Sequence, residues 1–238
     1  MAAGSGVRVA LIGAMTQEVD ALLAHLESTE RLEHGGSTFH LGRLRGIEVV
    51  VLESGIGKVN AAIATTLAFE RFAPRAVINV GSAGGFGDRL AIGDVVISSE
   101  VCHHDVDVTP FGYALGQVPG MPARFAADPR LVALAREALQ GLDGITAHEG
   151  LIGSGDVFVA GGAAVSSLRG RFPEMIAAEM EAAAVAQTCH RHGCPFVVTR
   201  AVSDLPEREG NSVDFETFLG VAAANSARMV ASMLERLD

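Results

Sequence analysis

The chain has 238 residues, is 49% apolar and carries a formal net charge of −10. The apolar share is sufficient for a large core and excludes a disordered chain, and no apolar run approaches the ~20 residues of a membrane span. The acidic balance argues against a nucleic-acid backbone or an anionic membrane as a partner, and three cysteines without metal-like spacing indicate reduced thiols in a cytoplasmic protein.

No linker, repeat or signal-peptide pattern interrupts the sequence, so we expect one domain over 1–238, with 1–6 flexible. The apolar run 7–12 predicts a buried strand, and Thr16 is a candidate N-cap for the helix that follows. Glu18 lies in the first turn of this predicted helix. Its carboxylate either complements the helix dipole or acts in catalysis at a strand-to-helix junction.

Two strand-like runs, 38–44 and 47–53, are separated by an Arg-Gly pair, which predicts a β-hairpin and therefore a mixed sheet. The glycine-rich segment 54–58 that follows looks like part of a phosphate-binding loop. That motif, however, requires a glycine where Leu52 stands and a hydroxyl where Val59 stands. We therefore interpret 54–58 as a turn through which the backbone approaches a ligand. The inward face of the next helix is predicted to consist of Val59, Ala62, Ile63, Thr66 and Leu67.

Small residues also follow the predicted strand 76–80, in the segment Gly-Ser-Ala-Gly-Gly at 81–85, where Ser82 can hydrogen-bond a ligand. Residues 102–107 carry metal-capable side chains, but their spacing matches no zinc pattern, so we expect no metal site. The long segment 109–124 contains aromatic residues among glycines and prolines. Such a segment is typical of a lid, an oligomer contact or an ordinary surface loop.

The run 196–204 is rich in β-branched residues, which is typical of a strand buried on both faces of a sheet. It ends in Arg200, Ser203 and Asp204. Because ligands bind outside the carboxyl ends of strands in open α/β sheets, this cluster predicts a site. The alternative is an Arg–Asp pair that closes the strand for structural reasons.

Glu179 and Glu181 stand between a predicted strand, 175–178, and an alanine-rich helix that ends near Gly193. Because residues two apart cannot share a helix face, we expect one glutamate to face the end of the sheet if the other faces solvent. Asp214 is a candidate N-cap for the last helix. Further strands are predicted at 94–99 and 145–154, and further helices at 129–139 and 163–172.

Several of these segments form one ordered set of motifs. They are Leu-Ile-Gly-Ala-Met at 11–15 with Glu18, 54–59, 81–85, 104–107, 154–156, 179–181 and the pair Ser203-Asp204. In order and spacing, the set resembles the bacterial 5′-methylthioadenosine/S-adenosylhomocysteine nucleosidases, from about residue 7 to the C-terminus. The resemblance implies the purine nucleoside phosphorylase-like fold, a three-layer α/β/α domain with a mixed, partly barrel-like sheet, and a homodimer.

The reaction of that family is hydrolysis of an N-ribosidic bond, which releases adenine and a 5-thio-substituted ribose; no cofactor and no metal are expected. Adenine leaves readily only once a ring nitrogen is protonated, and the ribose passes through an oxocarbenium-like state. By resemblance, Asp204 is the acid at purine N7 with Ser203 beside it, and Glu18 holds and activates the water. The substrate-binding residues implied are Met180 and Glu181 at the ribose, with Ser82 and Arg200 in support; Phe158 and Val159 at adenine; Met15, Ile56 and Phe215 at the 5′-alkylthio group; and Val108, Phe111, Tyr113 and Pro119, reaching over from a partner subunit.

The expected substrates are 5′-methylthioadenosine, S-adenosylhomocysteine and 5′-deoxyadenosine, in methionine salvage. Hydrolysis of 6-amino-6-deoxyfutalosine in menaquinone synthesis is the alternative within the family. A phosphorylase would need a cationic phosphate pocket, yet only Lys58 and Arg200 are basic near these motifs. A non-catalytic nucleoside sensor is disfavoured because it has no use for a positioned acid and base. The chain departs from the family pattern at Val159, where isoleucine is frequent, and in the charged segment 205–211.

Overall fold

Eleven strands form one sheet in the computed structural model, which describes residues 8–87, 89–207 and 211–237, with side chains from residue 214 in the last range. The expected flexible segment 1–6 lies outside the described residues. The strands are β1 (Val9–Gly13), β2 (Glu27–His34), β3 (Ser37–Leu44), β4 (Ile47–Glu53), β5 (Ala76–Asn79), β6 (Ser82–Gly85), β7 (Val95–His103), β8 (Phe125–Ala126), β9 (Ala147–Ser154), β10 (Met175–Glu179) and β11 (Phe196–Asp204). The helices are α1 (Thr16–Leu23), α2 (Lys58–Phe72), α3 (Pro129–Gln140), α4 (Gly162–Arg171), α5 (Ala182–His192) and α6 (Asn211–Leu234), with a short 3₁₀ helix at Thr109–Phe111.

Strand β11 joins the two halves of the sheet, whose order is β2-β3-β4-β1-β5-β11-β6-β10-β9-β7-β8. Its first residues pair in parallel with β5, and its last residues pair in parallel with β6. Between them, Thr199–Ala201 pair antiparallel with β7. This additional pairing closes β11, β6, β10, β9 and β7 into a barrel. All nine residues of β11 are buried, so the prediction of a strand covered on both faces is confirmed.

The predicted mixed, partly barrel-like sheet is confirmed, and helices cover it on two sides. Helices α1, α3 and α6 pack together on one side, while α2 and α5 pack together on the other. The hairpin of β3 and β4 is antiparallel and turns at Arg45 and Gly46, both with positive φ as a tight hairpin turn requires. None of the described helices is both long and apolar enough to cross a membrane.

Strand β2 was missed by the sequence analysis. Its sequence, Glu-Ser-Thr-Glu-Arg-Leu-Glu-His, is almost entirely exposed and pairs only with β3 in the described sheet. A charged edge strand lacks the apolar alternation that identifies strands, and its charges discourage pairing with another chain.

Three local predictions are corrected by the structure. Met15, not Thr16, is the N-cap of α1, and the Thr16 hydroxyl donates instead to Glu53. Helix α6 begins at Asn211, so Asp214 lies in its first turn rather than at the cap. The predicted inward face of α2 is wrong for Val59, Ile63 and Thr66, which are exposed, whereas Ala62 and Leu67 are half-buried against the core. Val59 and Ile63 are 69% and 47% exposed. The residues that α2 buries are Ala61, Ala64, Thr65, Ala68 and Phe72. A helix with apolar residues on several faces does not show by periodicity which face is covered.

Candidate active site

A cavity of about 200 Å³ opens at the carboxyl ends of β1, β10 and β11. This is the edge at which open α/β sheets bind ligands. The cavity is lined by Ala14, Met15, Glu18, Ile56, Ser82, Ala83, Gly84, Phe158, Ala178, Glu179, Met180, Glu181, Arg200, Ser203, Asp204 and Phe215. Both residues predicted to be catalytic and nine of the fourteen predicted substrate-binding residues therefore lie around one space.

Glu18 is held in the cavity by four hydrogen bonds. Oε2 accepts from the backbone N–H groups of Ala14 at 2.8 Å and Met15 at 3.1 Å, while Oε1 accepts from the N–H and hydroxyl of Ser82 at 3.0 and 3.2 Å. Gly81, with φ +153°, makes this approach possible, because a Cβ there would lie 2.8 Å from Oε1. Glu18 is 3% exposed, and this burial raises the pKa of its carboxyl above the ordinary value, although the charge of Arg200 and the N–H donors act in the opposite direction.

Asp204, the last residue of β11, is 2% exposed. The hydroxyl of Ser203 lies 2.9 Å from its Oδ1 and can donate to it, with the carbonyl of Ala83 as a longer alternative at 3.3 Å. Gly84 leaves room beside this carboxyl, because a Cβ there would lie 3.3 Å from Asp204 Oδ2. Two carboxyl groups, Glu18 and Asp204, thus face the same cavity in different surroundings, which is the condition under which an acid and a base can divide their roles.

Glu181 is the N-cap residue of α5 and is 6% exposed. Its Oε1 accepts from the backbone N–H of Gly57 at 2.7 Å. Burial, together with the nearby charge of Glu179, raises the pKa of Glu181 to about 8, while Arg200 and the N–H of Gly57 favour the ionised form. A carboxyl that titrates near neutral pH in a cavity is a functional candidate on physical grounds.

Arg200 lies at the bottom of the cavity. The sequence assigned it only a supporting role. It is 1% exposed and donates from Nη2 to Glu179 at 2.5 Å and to Asn79 at 2.7 Å. Glu179 also accepts from the backbone N–H groups of Glu181 and Ala182, and from the hydroxyl of Ser154. Each nitrogen of the guanidinium therefore has a hydrogen-bond acceptor, and both oxygens of Glu179 have donors.

The two glutamates are not divided between the sheet end and solvent, because both are buried. Glu179 ends β10 and Glu181 precedes α5, so the two do not lie on one helix and the helical spacing argument does not apply. Neither Glu179 nor Asn79 was among the predicted site residues. The signal for Glu179 was its place beside Glu181 next to a strand end, whereas no pattern distinguishes Asn79.

Apolar side chains form the outer wall of the cavity. Phe158 packs edge-on against Phe215, with ring centroids 5.8 Å apart and an interplanar angle of 72°. Ile56 and Phe158 are 52% and 45% exposed, so this wall is open to solvent in the monomer. An amphipathic ligand with a polar centre and an apolar end fits such a division.

Five predicted substrate-binding residues do not line the cavity of this chain. Val159 follows Phe158, but its side chain packs against a second apolar cluster, which includes Cys102, Leu151 and Phe172. The others belong to the segment after β7: Val108, Phe111, Tyr113 and Pro119. Phe111 is 80% exposed within the 3₁₀ helix. None of these four residues lines the cavity formed by this chain alone.

The charge of the cavity is unfavourable for a phosphate ion. Among the described lining residues Arg200 is the only cation, against the carboxyl groups of Glu18, Glu179, Glu181 and Asp204. Lys58, the other cation considered, is paired with Asp105 at 2.6 Å. The described residues contain no group of three or more His, Cys, Asp or Glu side chains placed to hold a metal ion.

Comparison with known proteins gives one consistent result. The family model of the phosphorylase superfamily matches residues 8–235. A 5′-methylthioadenosine/S-adenosylhomocysteine nucleosidase of Chromohalobacter salexigens is 58% identical over 230 residues, which are 97% of each chain. A solved nucleosidase of the same name from Neisseria meningitidis, in complex with methylthio-immucillin-A, is 50% identical and superposes with a TM-score of 0.94, covering 97% of this chain and 99% of that one.

A solved futalosine hydrolase of Helicobacter pylori also has this fold. It superposes with a TM-score of 0.91 over 98% of this chain and 99% of that one, but only 33% of its residues are identical. The two nucleosidases above, at 58% and 50% identity, are therefore more similar to this chain in sequence than this futalosine hydrolase is.

Proposed function

Because the chain belongs to the 5′-methylthioadenosine/S-adenosylhomocysteine nucleosidases, within the phosphorylase superfamily, we propose that it hydrolyses the N-ribosidic bond of these two nucleosides and of 5′-deoxyadenosine, in methionine salvage. The products are adenine and the 5-substituted ribose. One observation carries the proposal. The carboxyl groups of Glu18 and Asp204 line the same cavity in different surroundings, and no described lining residue is an unpaired cation.

Asp204 is the general acid in this proposal. Protonation at purine N7 makes adenine a good leaving group, and Asp204 stands at the end of β11 with Ser203 within hydrogen-bond distance of Oδ1. The Ser203 hydroxyl orients the carboxyl of Asp204 while the proton of that carboxyl passes to purine N7. Gly84 keeps the approach to the carboxyl open for a planar purine.

Glu18 is the general base that holds the attacking water. Its carboxylate is oriented by Ala14, Met15 and Ser82, and burial increases its affinity for a proton. As the bond to adenine breaks, positive charge develops on the ribose, and the nearby carboxylates stabilise it. Glu18 then accepts the proton of the water that attacks the anomeric carbon.

Glu181 and Met180 bind the ribose. Burial and the charge of Glu179 raise the pKa of Glu181 to about 8, and hydrogen bonds donated by the ribose hydroxyls favour its ionised form. Adenine lies between Phe158 and the end of β11, with the backbone of Val159 as a further contact. The 5′-alkylthio group lies against Met15, Ile56 and Phe215, which share the apolar wall.

The protein is proposed to be a homodimer. Helix α2 exposes an apolar stripe that includes Val59 and Ile63, and it borders a hollow of about 700 Å³ that also contacts Val106 and Val118. Exposed apolar surface of this kind is typical of an interface. A second copy seated there brings its segment 108–119 to the open apolar wall beside Ile56. The test is sedimentation velocity of the protein and of Ile63→Asp, with a monomeric wild type as the contradicting result.

The proposed location is the cytoplasm, because all three cysteines are free thiols and burial raises their pKa, to about 12 for Cys102 and to about 11 for Cys194. Thiols in this state are inert, as expected of structural cysteines in a reducing compartment.

Adenine release, followed by chromatography, tests the function. The substrates are 5′-methylthioadenosine, S-adenosylhomocysteine and aminodeoxyfutalosine, each with and without phosphate. We expect phosphate-independent release with higher kcat/KM for the first two. Turnover that requires phosphate would indicate a phosphorylase, and a preference for aminodeoxyfutalosine would indicate the alternative hydrolase.

A further inference from the structure

Three segments, two of which also carry the cavity-lining residues Ile56 and Phe158, are tied together by a closed set of hydrogen bonds among Lys58, Asp105 and Asp156, here called the lysine–aspartate ring. The Lys58 ammonium donates to Asp105 Oδ1 at 2.6 Å, and the backbone N–H of Asp156 donates to Asp105 Oδ2 at 3.0 Å. The backbone N–H of Lys58 donates to Asp156 Oδ1 at 2.8 Å. The ring joins the start of α2, the segment after β7 and the turn after β9, which are far apart in sequence.

The ring is continuous with the cavity through one residue. Gly57, which directly precedes Lys58, donates its N–H to Glu181 Oε1 at 2.7 Å. Two successive N–H groups at the start of α2 therefore address two carboxylates, Glu181 inside the cavity and Asp156 outside it. Gly57 has φ +96°, and a Cβ there would lie 3.1 Å from Asp156 Oδ1, so this close arrangement requires glycine.

We propose that Asp105 and Asp156 are positioning residues for the nucleosidase reaction, which hold the N–H of Gly57 against Glu181 and so favour the ionised carboxylate that accepts the ribose hydroxyls. The proposal rests on the function proposed for Glu181 at the ribose. Asp105 and Asp156 act only through Gly57 and do not touch the substrate.

The electrostatic surroundings of Glu181 make this single donor important. Burial and the charges of Glu179 and Glu18 raise the pKa of Glu181, and only the charge of Arg200 and the N–H of Gly57 act against them. Displacing the N–H of Gly57 therefore raises that pKa further. Ionised Glu181 then forms only at higher pH. The low-pH limb of the kcat/KM profile, which reports the free enzyme, therefore shifts to higher pH.

The ring lies near the surface, which separates this proposal from a purely structural role. The side chains of Lys58 and Asp105 are 18% and 24% exposed. A partly exposed ion pair of this kind contributes less to the free energy of unfolding than a fully buried pair does. A structural role alone thus predicts small, unselective effects, whereas a positioning role predicts a change in KM and in the pH profile at unchanged thermal stability.

The test compares three variants that remove different acceptors. Asp105 uses both oxygens as acceptors, and an amide offers only one, so Asp105→Asn must lose one link of the ring. Asp156→Ala removes the acceptor for Lys58, whereas Asp156→Asn retains one. We expect Asp105→Asn and Asp156→Ala to raise KM by about tenfold, with a smaller change in kcat, and to move the low-pH limb upward. Asp156→Asn is expected to restore much of the effect of Asp156→Ala.

Asp107→Asn is the matched control, because Asp107 lies on the same segment and accepts from Thr109 without touching the ring. It is expected to keep the wild-type KM and pH profile. If Asp105→Asn does not fold, Lys58→Met cuts the same bond from the other side. The proposal would be overturned if Asp105→Asn kept the wild-type KM and the wild-type low-pH limb of kcat/KM. It would also be overturned if Asp156→Asn and Asp156→Ala raised KM equally.

Amide hydrogen exchange of Gly57, measured by NMR on the ligand-free protein, tests the ring without any substrate. We expect faster exchange in Asp105→Asn than in the wild type and Asp107→Asn. Unchanged exchange would contradict the ring's role. Failure of the wild type to release adenine would instead contradict the proposed function, so the two failures are distinguishable.

Discussion

Glu179 and Glu181 are two residues apart and almost equally buried, yet their surroundings differ. Glu179 lies at the base of the cavity, where Arg200, Ser154 and backbone N–H groups occupy its oxygens. Glu181 forms the wall, with the N–H of Gly57 as its hydrogen-bond donor and a pKa raised to about 8. A buried charge with a complete set of partners holds the fold together, whereas one with few partners is available to a ligand. Four predictions test this contrast.

The largest effect is expected on the free energy of unfolding, from the pair of Glu179 and Arg200 at the bottom of the cavity. Glu179→Gln places an amide N–H₂ among donors and leaves Arg200 buried without its counter-charge, which typically costs about 3–5 kcal/mol of unfolding free energy. Urea unfolding monitored by circular dichroism measures this loss. A variant as stable as the wild type would show that the pair is not what fixes the base of the cavity.

The second prediction concerns the walls. Asp204→Asn and Glu18→Gln are each expected to lower kcat by ~10²-fold or more, because each removes a general acid or base. Their thermal stability should stay near or above that of the wild type, in contrast to Glu179→Gln. Near-normal kcat in Asp204→Asn would contradict the assignment of Asp204 as the general acid. Ser98, a buried residue of β7 that accepts from the backbone N–H of Val198 and does not line the cavity, offers a control as Ser98→Ala.

The third prediction is a stability difference that depends on pH. The pKa of Glu181 rises from an ordinary 4.5 to about 8 on folding, so the folded state binds more protons between these values and stability falls as pH increases. Glu181→Gln has no such penalty. Its melting temperature should exceed that of the wild type increasingly from pH 5 to pH 9, while its KM rises. A difference that is constant over this range would contradict the raised pKa.

The smallest expected effect is that of chelation. The proposed chemistry uses only carboxyl groups and water, so EDTA should leave the rate of adenine release unchanged. Assays after prolonged dialysis against EDTA, with and without added divalent cations, measure this. Loss of activity that a metal restores would contradict the prediction that no metal takes part.

Most elements could be predicted because their local signals agree with their burial. The run 196–204 coincides with β11, and the alternation in 38–53 gives the hairpin with its turn at Arg45 and Gly46. Strand β2 could not be found in this way, since a charged edge strand carries no apolar pattern. The inward face of α2 was predicted only in part, because apolar residues lie on several sides of that helix and periodicity does not show which side is covered.

The candidate site was predictable where polar residues follow strands. Glu18, Ser82, Glu181 and Asp204 all follow or end predicted strands, and the carboxyl ends of neighbouring strands meet at one edge of the sheet. Asn79 could not be found, because a single buried amide at the end of a strand has many structural explanations. Its place beside Arg200 depends on the pairing of β5 with β11.

Near neighbours in the chain specify the alternating strands and helices and the glycine-rich turns, which is why these features can be predicted from the amino-acid sequence. Which carboxyl group has a full set of hydrogen-bond donors, and which does not, depends on the fold. That distinction arises from contacts over long separations, such as Gly57 with Glu181 and Glu18 with Ser82. Burial and the number of donors around a carboxyl set its proton affinity, and both are properties of the folded chain.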